Sequence, residues 1–185
     1  MRIITGKAKG IQLKTLEGIE TRPTSERVKE AVFSMIQFDI ENRTVLDLFA
    51  GSGQMGLEAL SRGAANATFI DSSKKAVKII EENALKTRLS DMCNIKNCDS
   101  LDFIKRSREQ KFDIVFLDPP YASNLYAPAL ITLYKNALVK GTSFIVCESN
   151  FDTLFNDFPE LSDLYEVCKT SKYSQTVITL LKPKM

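Results

Sequence analysis

Asp47-Leu48-Phe49-Ala50-Gly51-Ser52-Gly53-Gln54-Met55-Gly56 decides how the rest of the chain is read. The apolar run Thr44-Val45-Leu46 leading into it reads as a short buried strand. A full G-x-G-x-x-G follows, taking three of the chain's eight glycines. Glycine serves where the backbone must turn sharply and approach a ligand closely. Met55, Leu57, Ala59 and Leu60 continue as a helix, whose free N-terminal N–H groups favour electron-rich ligand atoms. Ala67-Thr68-Phe69-Ile70-Asp71 is the next strand, and its terminal acid stands 18 residues beyond Gly53. A carboxylate there can accept both hydroxyls of a ribose. NAD enzymes share the glycine turn and the distal acid. Asp47, however, lies four residues before Gly51, inside the end of the strand. It would face a diphosphate unfavourably and suits the α-ammonium of a methionine moiety, which favours S-adenosyl-L-methionine as cofactor.

Working outward, strands and helices alternate. Upstream, Ile3-Ile4 and Ile11-Gln12-Leu13 around Gly6 and Gly10 suggest a small hairpin. Thr24 or Ser25 can cap a helix beginning near Glu26, with Val28, Ala31, Val32, Met35 and Ile36 as its buried stripe. Downstream, Ser72 or Ser73 caps a helix through Ala76, Val77, Ile80 and Ala84. A weak strand near 93–95 and a helix near 100–106 follow. Phe112-Asp113-Ile114-Val115-Phe116-Leu117 is the clearest strand; a helix near 125–138 and the strand Ser143-Phe144-Ile145-Val146-Cys147 come next. Two late strands, near 164–169 and 175–181, have no helix-length segment between them, so one should run antiparallel. The fold class is therefore α/β and Rossmann-like, a mostly parallel helix-covered sheet. No linker divides the chain. A single domain 1–185 is expected, with 1–38 as a hairpin and helix extension and 39–185 as the catalytic core.

A second motif, Asp118-Pro119-Pro120-Tyr121, leaves the strongest strand at its C-terminal end, the edge where open α/β sheets bind ligands. Neither proline donates a hydrogen bond, so this rigid segment presents acceptors only. It suits an exocyclic amino group on a nucleobase, whose nitrogen is a weak nucleophile because its lone pair is delocalised into the ring. Asp118 and the Pro119 carbonyl can each accept one N–H, and Tyr121 can stack on the base. Catalysis would then rest on positioning and fixed electrostatics.

Composition narrows the field. The 185 residues include no histidine, which removes His-dependent triads, His general bases and His-containing zinc sites together. Cys93, Cys98, Cys147 and Cys168 show no metal-ligand spacing and read as buried, reduced thiols, so no metal is expected. The N-terminus MRIITGKAKG is too polar for a signal peptide and no apolar run reaches membrane length, so a cytoplasmic protein without a membrane partner is expected. Net charge is only +2, yet it is unevenly spread. Arg2, Lys7, Lys9 and Lys14 occur in residues 1–14 without an acid, and residues 169–185 carry four lysines without an acid. Residues 148–166 carry acids and no base. Basic ends around an acidic segment suit phosphate contact.

The motifs in order resemble a known family. Residues 47–53 and 118–121 look like the cofactor and catalytic motifs of class I amino-methyltransferases. Arg22-Pro23-Thr24-Ser25-Glu26-Arg27-Val28-Lys29-Glu30-Ala31-Val32-Phe33 is similar to a signature of the bacterial RsmD family, as are Arg2-Ile3-Ile4-x-Gly6 and Gly56-Leu57-Glu58-Ala59-Leu60-Ser61-Arg62-Gly63. The resemblance implies a seven-stranded sheet and methylation of N2 of a guanine in 16S rRNA, free or within the 30S particle, by an enzyme expected to be monomeric. It places Asp99, with Ser100 beside it, against the adenine. Phe49, Ala50, Ser52 and Ser72 join Asp47, Gly51, Gly53 and Asp71 around the cofactor. Arg2, Lys7, Lys9, Arg22, Thr24, Arg27 and Tyr173 are the expected RNA contacts. Lys29 stands where the family signature has arginine, and Ser174 where it usually has glycine. Other readings stay open on the motifs alone: a DNA adenine-N6 or cytosine-N4 methyltransferase, a NAD-dependent oxidoreductase, or a non-catalytic RNA-binding module.

Overall fold

The computed structural model describes residues 1–16, 26–108, 110–120, 124–150 and 154–184. In chain order the elements are α1 (Glu26–Met35), β1 (Thr44–Asp47), α2 (Gln54–Ser61), β2 (Asn66–Asp71), α3 (Lys74–Thr87), β3 (Cys93–Asn97), α4 (Ser100–Arg106), β4 (Phe112–Leu117), α5 (Tyr126–Lys135), β5 (Val139–Ser149), α6 (Leu154–Asp157), β6 (Tyr165–Tyr173) and β7 (Thr176–Pro183). They form a seven-stranded sheet of order β3-β2-β1-β4-β5-β7-β6. β7 alone runs against its neighbours, pairing antiparallel with both β5 and β6.

Local sequence explains the element ends. Ser73 caps α3 by accepting from the Ala76 N–H, and Arg88 ends it in the left-handed region at φ 60°, its N–H returned to the Ala84 and Leu85 carbonyls. Ser174 turns β6 into β7 at φ 58°. That backbone costs a residue with a side chain about 1 kcal/mol.

Apolar side chains alternate to the two sides of the strands and build two cores. One packs α1, α2 and α3 with the N-terminal segment on Val45, Phe69, Phe116 and Val146. The other packs α4 and α5 on Leu46, Ile70, Val115, Leu117 and Cys147. β4 lies between them with all six residues buried. The strand order reverses between β1 and β4, so the ligand-binding crevice of such a sheet opens at their carboxyl ends.

The buried face of α1 differs from the expected stripe. Val28, Val32 and Ile36 are buried, but Ala31 and Met35 are only half-buried, and Lys29 and Phe33 go inside. Lys29 is buried because partners meet it: its Nζ lies 3.2 Å from Glu58 Oε2 and donates to the Arg2 carbonyl at 2.6 Å. Burial lowers its proton affinity and the Glu58 carboxylate opposes that effect. Glu58 also accepts from the Ile4 N–H, the Thr5 N–H and Arg62 Nε. The N-terminal hairpin, closed by an antiparallel bridge between Arg2 and Gln12, is thus clamped onto α1 and α2 through one buried carboxylate.

Candidate active site

At the end of β1 the Leu48 N–H donates to the Phe116 carbonyl at 3.1 Å, and the Ala50 N–H donates to Ile70 at 3.0 Å. These two bonds bring the glycine turn against both β4 and β2. Gly51 and Gly53 take φ 54° and 75°. A Cβ on Gly51 would meet nothing within 4 Å, so the front of the turn is open. A Cβ on Gly56 would lie 2.3 Å from the Phe69 ring, so this glycine lets α2 sit directly on β2.

Acids hold the turn. Asp71 accepts from the Gly51 N–H at 2.9 Å through Oδ2 and from the Ser73 N–H at 2.8 Å through Oδ1. Asp47 is buried and accepts from the Gly56 N–H at 3.0 Å. Burial pushes its carboxyl up to about 7, with the Gly56 hydrogen bond opposing and the Asp71 charge adding. Ser100 is buried and its hydroxyl donates to the Leu48 carbonyl at 2.6 Å, which leaves Asp99 exposed as the cap of α4. Phe49 is half-buried against the second core, Ala50 is buried, and Ser52 and Ser72 present carbonyls to Asn83 and Asn97.

The second motif faces this turn. Asp118 is exposed at the end of β4, Pro119 is buried and Pro120 is exposed. Partial desolvation at the sheet edge, then the Glu148 and Asp47 charges, raise the Asp118 carboxyl well above the ordinary carboxylate range. Tyr121, Arg22 and Thr24 lie outside the described residues. Of the remaining expected RNA contacts, Lys7, Lys9 and Arg27 are exposed, and Arg2 is exposed and paired with Glu26 at 3.3 Å. Tyr173 is half-buried against the first core.

Two residues near the site escaped the sequence reading. Asn83 is fully buried; its side chain donates to the Ser52 and Lys14 carbonyls and accepts from the Lys14 N–H, tying the glycine turn to the N-terminal segment. Its signal was a polar residue between the apolar Ala76, Ile80 and Ala84 on the buried face of α3. Glu148 is 7% exposed near the end of β5. Its signal was the repeated pattern of an acid closing an apolar strand, as Asp47, Asp71 and Asp118 do. The thiols also differ in part from expectation. Cys147 is buried and Cys93 half-buried, its thiol pushed up to about 12, but Cys168 is exposed on the edge strand β6. Among the described residues no cluster of three acids or cysteines is arranged to hold a metal, and no helix is long and apolar enough to cross a membrane.

A family model described as "Conserved hypothetical protein 95" matches residues 1–182. Ribosomal RNA small subunit methyltransferase D of Haemophilus influenzae is 38% identical over 154 residues, 82% of this chain and 80% of that one. The protein of the same name from Escherichia coli K12 is 33% identical over 152 residues, 82% and 76% of the two chains. The solved structure of yhhF, a methyltransferase candidate from Escherichia coli, superposes with a TM-score of 0.88 at 29% identity, covering 100% of this chain and 98% of that one. Two of these relatives carry ribosomal RNA methyltransferase names, so the oxidoreductase and the DNA methyltransferase that the motifs left open are not supported. The chain belongs to the Conserved hypothetical protein 95 family, the RsmD family of class I S-adenosylmethionine-dependent methyltransferases.

Proposed function

We propose that this enzyme methylates the exocyclic N2 of a guanine in 16S rRNA, acting as a single chain in the cytoplasm on the small ribosomal subunit or its rRNA. The observation that carries the reading is the Leu48 N–H to Phe116 carbonyl bond, which sets the glycine turn beside Asp118 and Pro119. The rRNA target is supported by the names of the relatives at 33% and 38% identity.

The residues at the β1 and β2 ends fit S-adenosylmethionine. Each Asp71 oxygen already accepts one backbone N–H, and a carboxylate oxygen has a second lone pair for a ribose hydroxyl. The open face of Gly51 lets the ligand approach the backbone. Asp47 is the anionic group on the methionine side, and Asp99 lies at the head of α4 for the adenine. When bound, the cofactor supplies a methyl group on a positively charged sulfur, already electrophilic without acid catalysis. The protein's task is to aim the amine. Asp118 and the Pro119 carbonyl each accept one N–H of the guanine amine, which directs the nitrogen lone pair at the methyl carbon. The nitrogen must lose one proton as the new C–N bond forms. Asp118, whose proton affinity is raised by its surroundings, is the nearest group to take it.

Incubating the protein with tritiated S-adenosylmethionine and 30S subunits that lack the modification tests the assignment. Label mapping to N2 of one guanine in 16S rRNA is the expected result. Label entering only DNA, or only another base, overturns it.

A further inference from the structure

We propose that Glu148 reads the N1–H of the target guanine and makes the site selective for guanine over other bases that carry an amino group. The inference rests on the guanine-N2 reading above and adds a residue that neither motif contains. β4 and β5 run parallel with Leu117 opposite Cys147, so the next residues, Asp118 just past β4 and Glu148 within β5, stand side by side. They also share a face. Phe116 and Val146, two residues earlier, lie in the same core as Val45, which precedes Asp47 by two. Asp47, Asp118 and Glu148 therefore converge from three adjacent strands on one side of the sheet edge. Their charges act on one another, since both Asp47 and Glu148 raise the proton affinity of Asp118. The Glu148 backbone is itself fixed, because its carbonyl accepts from the buried Tyr126 hydroxyl.

A buried carboxylate beside the catalytic one has a chemical match. Guanine carries two kinds of donor in adjacent positions on its Watson–Crick edge, the N2 amine and the N1–H. Adenine and cytosine each place an acceptor nitrogen beside their amine. Two neighbouring acceptors, Asp118 for N2 and Glu148 for N1, fit guanine. Against adenine or cytosine the second acceptor would face a lone pair. A site that hydrogen-bonds a donor rejects the analogue lacking it far more strongly than shape alone would.

The test uses 16S rRNA ligated to carry either guanine or 2,6-diaminopurine at the methylated position and assembled into 30S particles. Diaminopurine keeps the N2 amine but has an acceptor at N1. Wild-type protein should methylate guanine about 100-fold more efficiently, measured as kcat/KM. Glu148→Gln, whose amide can turn a donor toward N1, should lose at least tenfold on guanine and lower the preference at least tenfold. Cofactor affinity by calorimetry should be unchanged. Glu148→Asp should retain the preference. Equal use of the two bases by the wild type, or an equal loss on both bases in Glu148→Gln, would overturn the role of Glu148. The wild-type comparison needs no variant, so a misfolded mutant does not shield the proposal. Wild-type protein that labels neither base would instead sink the guanine-N2 reading, and Glu148 with it.

Discussion

The two halves of the sheet edge are built on opposite principles. At the ends of β1 and β2, acids are held by hydrogen bonds: both Asp71 oxygens accept from backbone N–H groups, Asp47 accepts from Gly56, and Ser100 ties α4 to Leu48. At the ends of β4 and β5, acids crowd one another: Asp118 stands exposed with the buried Glu148 beside it, and desolvation, then the Glu148 and Asp47 charges, raise Asp118. The first half is a preformed cradle, the seat of the nucleoside in the function proposed above. The second, on the function proposed above, presents its acids to the donors of a substrate. Mutations in the two halves should therefore separate binding from rate.

The largest effect should come from the acceptor side. Asp118→Ala removes an acceptor and the proton's destination together, and is expected to lower kcat by about 1,000-fold. Calorimetric affinity for S-adenosylmethionine should stay within about threefold of wild type, because Asp118 lies outside the cradle. A comparable loss in both quantities would show that the two halves are one binding unit.

The glycines sharpen the same contrast within the cradle. Gly56→Ala forces a Cβ to within 2.3 Å of a ring that is itself buried, and should destabilise the fold by about 3 kcal/mol in denaturant titration. Gly51→Ala meets no protein atom and should cost only about 1 kcal/mol for its left-handed backbone. Its methyl group instead occupies the face where the ligand approaches, so cofactor affinity should fall about tenfold with kcat little changed. If Gly51→Ala binds normally, the open face of the turn is not the cofactor's seat.

This contrast also separates what the sequence made legible from what it did not. Strands β1, β2 and β4 were readable because burial on both faces leaves mostly apolar runs, and each run closes on an acid. β6 was read as ending near 169 and continues to Tyr173. It is an edge strand with most residues exposed on both sides, so no alternation marks its length. The motifs located Asp47, Gly51, Asp71 and Asp118 at one edge because all are local to strand ends. Lys29, Glu58 and Asn83 were opaque for the opposite reason. Each is a polar residue made burial-competent by partners distant in sequence: Lys29 by Glu58 and the Arg2 carbonyl, Asn83 by Lys14 and Ser52. Periodicity registers such a residue as a surface position, as it did on α1, where Lys29 and Phe33 replaced Ala31 and Met35 inside.

The smallest effect concerns Asp47, where the cradle borrows the character of the other half. Burial holds its carboxyl near 7 in the folded protein, above the 3.8 of an unperturbed aspartate. The folded chain therefore binds more protons than the unfolded chain between about pH 4 and 7, and this residue's contribution to stability declines as pH rises through that window. Binding a cationic ligand favours the ionised form. Affinity for S-adenosylmethionine should then rise about fivefold from pH 6 to pH 7 and level off above, the slope expected of one group titrating near 7. Asp47→Asn is neutral throughout. It should abolish that slope and weaken binding at pH 8, while raising Tm there by about 2–4 °C. A wild-type affinity that is flat from pH 6 to 8 would mean that Asp47 does not face the ammonium, and that its only work is to hold the Gly56 N–H at the head of α2.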